Sequence, residues 1–81
     1  MVRRDGAEAR KERIAQIARN IQASLFQNKD AGFIPLKKTV AMLMYETGLT
    51  KEKITEYLQL LHETDQVELD AEKDQIRRPA V

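Results

Sequence analysis

The sequence predicts a mostly helical domain that ends in a small β-hairpin, in the order helix, short strand, helix, helix, two-stranded hairpin. Three observations predict it. Apolar residues recur at helical spacing over 14–25, 36–47 and 54–61. Clusters of breaking residues separate those stretches. After residue 66 the apolar period shifts to two. At 81 residues the chain has room for one domain, read as residues 1–81, near the lower size limit for a self-supporting core.

The first helix opens at Asp5-Gly6-Ala7-Glu8, where an acidic N-cap with Glu three residues later forms an Asp version of the capping box. Ile14, Ile17, Ala18, Ile21 and Leu25 then make one narrow apolar stripe. Residues 7–13 carry nothing larger than alanine on that stripe, so the first turns are expected to project past the core. Asn28-Lys29-Asp30-Ala31-Gly32 stops the helix. Phe33-Ile34-Pro35-Leu36 is short and apolar, and its proline suits only an edge strand.

The second helix gathers Leu36, Val40, Leu43, Met44 and Thr47 on one side and ends at Gly48, the natural left-handed residue. Leu49 is expected to be a buried turn residue. Thr50 is placed to cap a third helix, over 50–64, that aligns Ile54, Tyr57, Leu58 and Leu61. Tyr57 is expected to bury its ring and keep its hydroxyl wet. In the tail, a loop at Ala71-Glu72-Lys73-Asp74 sets Leu69 against Ile76 on the core side and Glu68 against Arg77 on the wet side. This order of elements is that of the winged helix-turn-helix, in which the second helix of the helix-turn-helix pair reads the major groove of DNA.

Charge is unevenly divided. Residues 1–29 hold seven basic groups against three acids, whereas residues 30–66 hold four against six and residues 67–81 three against four. Residues 1–6, with Arg3 and Arg4, are expected to form a flexible basic arm. Such an arm fits nucleic acid, and equally a solvated helix face with a frayed tail.

The segment from Ile54 to Val67 resembles the recognition helix and wing entry of ArsR- and MarR-type bacterial and archaeal regulators. There a β-branched residue, two leucines and a Gly-x-Val take the spacing held here by Ile54, Leu58, Leu61 and Val67. The likeness covers about residues 12–78 and rests on an apolar pattern. Two positions depart from it. Asp65 stands where those families have glycine, and Asp tolerates the left-handed conformation. Glu56 stands where they commonly carry a DNA-contacting arginine. With Glu52, Gln59 and Glu63 it makes an acidic outer face, and a carboxylate is repelled by phosphate.

What the resemblance implies is a small DNA-binding protein, a transcriptional regulator. Lys37 and Lys38, at the start of the second helix, would meet phosphate together with its terminal amides. Thr50, Lys51, Lys53, Thr55 and Gln59 would reach into the groove, and Lys73 and Arg77 (with Arg78) would bring the wing to the backbone. Each lysine taken singly reads more simply as a solvated surface charge, and only the set, on this fold, favours DNA. Regulators of this kind commonly pair to span two half-sites. A homodimer through the first helix is therefore expected, with Phe26 off the apolar stripe and exposed. The alternative is a winged-helix module that docks a protein through its acidic third helix or its first helix.

Catalysis is not expected. His62 is the only histidine and Ser24 the only serine, and no cysteine is present, so neither a nucleophile–base pair nor a zinc site can be drawn. The three glycines stand apart, without a phosphate-binding loop. Met42 and Met44 read as core filling. No cofactor or small-molecule substrate is implied. The lack of cysteine, of an apolar leader and of any long apolar run points to a cytoplasmic protein without membrane contact.

Overall fold

The computed structural model describes residues 6–79, with side chains from residue 9 onward. The elements are α1 (Gly6–Gln27), β1 (Phe33–Pro35), α2 (Leu36–Thr47), α3 (Lys51–Glu63), β2 (Glu68–Asp70) and β3 (Gln75–Arg77). The domain is thus mostly helical with a small antiparallel sheet of order β1-β3-β2. Asp5, Arg3 and Arg4 lie outside the described residues, as does the Glu8 side chain, and with them the expected capping box and most of the basic arm. Gly6, assigned to that arm, is instead the first residue of α1.

Arg10, Lys11, Glu12 and Arg13 are exposed, while Ile17, Ala18, Ile21 and Leu25 are buried, so α1 does run past the core before its stripe engages. It ends where the breakers stand: the amides of Ala31 and Gly32 both turn back to the Asn28 carbonyl, and Gly32 has φ 81°. Pro35 lies in β1 at the edge of the sheet, where its missing donor is harmless. Beyond the hairpin that was expected, β1 pairs with β3 and makes it the central strand, with Ile34 opposite Ile76.

The turn between α2 and α3 follows local chemistry. Gly48 sits at φ 73° and its amide closes on the Met44 carbonyl, 2.9 Å away. Thr47 Oγ1 donates to the Leu43 carbonyl and accepts the Leu49 amide. Leu49, expected to be buried, is half-buried and packs against the edge of the core. Thr50 Oγ1 accepts the Lys53 amide at 3.2 Å, the N-cap bond that starts α3.

The core forms where the three helices meet the sheet: Ile17, Ile21 and Leu25 from α1, Val40 and Leu43 from α2, Ile54, Tyr57, Leu58 and Leu61 from α3, with Ile34, Val67 and Ile76. Tyr57 retains 4% of its surface and Ile76 none. Truncating a fully enclosed side chain such as Leu58 or Leu61 to alanine removes about 2–5 kcal/mol in such cores, a large part of the margin a domain this small has.

The hairpin has the expected register, Leu69 opposite Ile76 and Glu68 opposite Arg77. Its entry bends at Asp65, which holds φ 60° where a glycine would be unstrained. Leu69 is only half-buried, because β2 is an edge strand and the helices leave a gap beside it. Among the described residues no helix is long and apolar enough to cross a membrane.

Candidate functional site

The face formed by α2, α3 and the hairpin carries the residues singled out in the sequence. On α3 the buried stripe Ile54-Tyr57-Leu58-Leu61 points inward, which turns Glu52, Glu56, Gln59 and Glu63 outward, all exposed. Lys51, Thr55 and His62 occupy the flank between these two faces. That flank looks across a trough of about 650 Å³ toward α2.

The trough is built from all three elements. Leu36, Val40, Ala41 and Met44 of α2, Leu58 of α3, and Leu69 and Ala71 of the hairpin give it an apolar lining. Lys37, Lys51, Thr55 and Gln59 stand on its rim. Four of the nine expected DNA contacts therefore converge on one opening, although they come from segments separated in sequence. The apolar lining was not anticipated. Of the two methionines expected to fill the core, Met42 is exposed, whereas Met44 packs against the core, half-buried, and also lines the trough.

The other five expected contacts lie elsewhere. Lys38 is exposed on α2 next to Lys37, and Lys73 is exposed in the hairpin turn. Among the described residues, Lys37, Lys38, Lys51 and Lys73 form no ion pair. Lys53 does: its Nζ lies 3.3 Å from Glu56 Oε2, so the acid that should repel phosphate offsets a cation that should attract it. Both partners are largely in water, and such a pair is worth at most about 0.5 kcal/mol. Thr50 serves as the α3 cap, and its hydroxyl proton stays available to a ligand. Thr55 is the reverse: its Oγ1 donates to the Lys51 carbonyl at 2.8 Å and retains accepting capacity.

Two groups expected to meet DNA have partners within the protein. The amides at the start of α2 were assigned to a phosphate. Pro35 offers no side-chain cap there, and the vacancy is filled by the hairpin: Asp74 Oδ1 accepts the Lys37 amide at 2.9 Å, and the Asp74 carbonyl accepts the Leu36 amide at 3.0 Å. A carboxylate thus already occupies the position where an anion would bind. Arg77 was assigned to the DNA backbone. Its guanidinium reaches Glu68 at 3.2 Å and Asp70 at 3.4 Å, both on β2, and the group is two-thirds covered. Among the described residues its Nε is buried without a partner. Arg77 ties the hairpin strands together and presents little free charge.

His62 joins α3 to the hairpin, its Nδ1 accepting the Leu69 amide at 3.3 Å. Among the described residues no three histidine or acidic side chains cluster in a way that could hold a metal ion. Comparison of the chain with protein-family models, with curated proteins and with solved structures returned no match.

Proposed function

We propose that this domain is a winged helix-turn-helix module that binds double-stranded DNA, acts by binding without catalysis, and serves as a transcriptional regulator. The observation that carries the reading is the convergence of Lys37, Lys51, Thr55 and Gln59 on the rim of one opening between α2 and α3, with Lys38 next to Lys37 and Lys73 in the hairpin turn both exposed and without an ion pair among the described residues. In this reading the first turns of α3 enter the major groove. Lys51 meets phosphate or a guanine edge, and Thr55 and Gln59 follow along the helix. Lys37 and Lys38 hold one backbone strand and Lys73 the other. Arg77 and the α2 amides, engaged within the protein, are left out of the contact set.

The acidic outer face of α3 limits how deep the helix enters. Glu52, Glu56 and Glu63 stand on the side turned from the core, so the helix approaches DNA through its flank and its N-terminus.

The test is the salt dependence of duplex binding. Four lysines on phosphates release counterions and make the logarithm of affinity fall with the logarithm of salt at a slope of about −3 to −4 per subunit. Replacing one of Lys37, Lys38, Lys51 or Lys73 by Ala reduces that slope by about one unit. Absence of duplex binding at about 50 mM salt, where nonspecific contacts are strong, defeats the reading.

A further inference from the structure

We infer that the trough between α2, α3 and the hairpin is a docking site for an acidic amphipathic helical segment of a partner protein. The surface is distinct from the acidic face of α3 and from the outer side of α1, and the inference does not rest on DNA binding.

The trough has an apolar lining that the fold leaves partly wet. Val40 and Leu58 reach it from the core, Leu36, Met44 and Leu69 are half-buried, and Ala41 is exposed. Covering such a surface is favourable in proportion to its apolar area, and sugar and phosphate bring little that is apolar to cover it. A duplex would use the lysines and leave the lining in water. A partner with apolar side chains would use both.

The rim selects the charge of that partner. Lys37 of α2 and Lys51 of α3 both line the opening, and neither has an ion pair among the described residues. The one acid of the lining, Asp74, directs its carboxylate to the Lys37 amide. The acids of α3 (Glu52, Glu56 and Glu63) lie on its outer face and not among the trough-lining residues, so on this helix an acidic ligand is favoured only on the trough side. The wall from Lys51 to His62 is about 16 Å long at the helical rise, which suits three turns of a helix with apolar residues at i, i+3 or i+4, and i+7.

Labelled synthetic peptides of about 16 residues provide the test. One carries Leu at that spacing with Glu on its flanks, one replaces Glu by Lys, and one replaces Leu by Ser. Binding to the full chain is read without DNA by fluorescence anisotropy at physiological salt, and located by NMR shifts of the Met44, Leu58 and Leu69 methyl groups. The Glu/Leu peptide is expected to saturate and to shift those methyls. Lys51→Glu weakens it about tenfold, as loss of one charged anchor does, and Ala41→Trp, which fills the trough from an exposed position, abolishes it. Circular dichroism confirms that both variants fold; should Ala41→Trp disturb the helices, Ala41→Arg replaces it. Equal binding of the Lys peptide, equal binding of the Leu-free acidic peptide, or binding that survives blockage at position 41 overturns the proposal. So does a chain that binds duplex DNA and none of the peptides. Peptide binding without duplex binding upholds it and defeats the DNA reading alone.

Discussion

Asp74, in the hairpin turn, caps α2 across 37 residues of sequence, its Oδ1 2.9 Å from the Lys37 amide. The contact does what Pro35 cannot do at the N-cap, and it fixes the hairpin against the start of the helix. It also sets a carboxylate among the lysines that are proposed to bind an anion. Stability and binding therefore pull on this residue in opposite directions.

Asp74→Asn keeps a side-chain acceptor and the tolerance for φ 55° that the backbone requires. It is expected to leave the urea midpoint nearly unchanged while tightening duplex binding by about 0.5 kcal/mol, since one negative charge leaves the helix terminus. Asp74→Ala loses both cap and conformational fit and costs about 1–2 kcal/mol of stability. A stability loss as large in Asn as in Ala would show that the charge, not the acceptor, holds α2.

Glu56→Arg replaces the acid that neutralises Lys53 by the residue carried in the resembling regulators. Duplex affinity should rise by about 1 kcal/mol or more, and the folding free energy should change by less than about 0.5 kcal/mol at this exposed position. Anisotropy titrations of wild type and variant on one duplex check the first figure. Unchanged affinity would mean that this part of α3 stays clear of the DNA.

Arg77→Gln tests whether that guanidinium is committed to the hairpin. Loss of the pairs with Glu68 and Asp70 should destabilise the domain by about 1 kcal/mol, given their partial exposure. Hydrogen exchange should quicken in β2, while the salt slope of duplex binding stays as in wild type. A slope lower by one unit would return Arg77 to the DNA-contact set.

Phe26 is 65% exposed near the end of α1, with the Lys29 ammonium 5.5 Å from its ring centre. Such a side chain suits a contact between two copies of the chain through α1, and a dimer is expected at high micromolar concentration. Light scattering should then give twice 9.3 kDa, and Phe26→Ala should return the monomer without lowering the melting temperature. A wild-type monomer at that concentration removes the dimer.

Much of the fold was legible because much of it is decided locally. Gly48 and Thr50 mark the turn between α2 and α3 through their own backbone preferences. The 3.6-residue spacing of Ile54, Leu58 and Leu61 determines which face of α3 is buried, and therefore that Glu52, Glu56 and Glu63 face outward. The alternation in the tail determines that Leu69 meets Ile76 and Glu68 meets Arg77, since a slip of one residue would put every side chain on the wrong face. These relationships need only neighbours within a few residues or one short turn.

The rest needed the chain folded. The pairing of β1 with β3, the cap from Asp74 to Lys37 and the double ion pair of Arg77 depend on where the hairpin comes to lie. A lysine that reads as a free cation in sequence acquires or lacks a partner only in the folded chain: Lys53 finds Glu56, and Lys51, two residues earlier on another face of the helix, lines the trough together with Lys37 of α2. The trough is a gap between elements, so no single segment carries its pattern. Periodicity along the chain settles which surfaces each element buries; which exposed groups come together follows from the angles between elements, and no period along the chain encodes those.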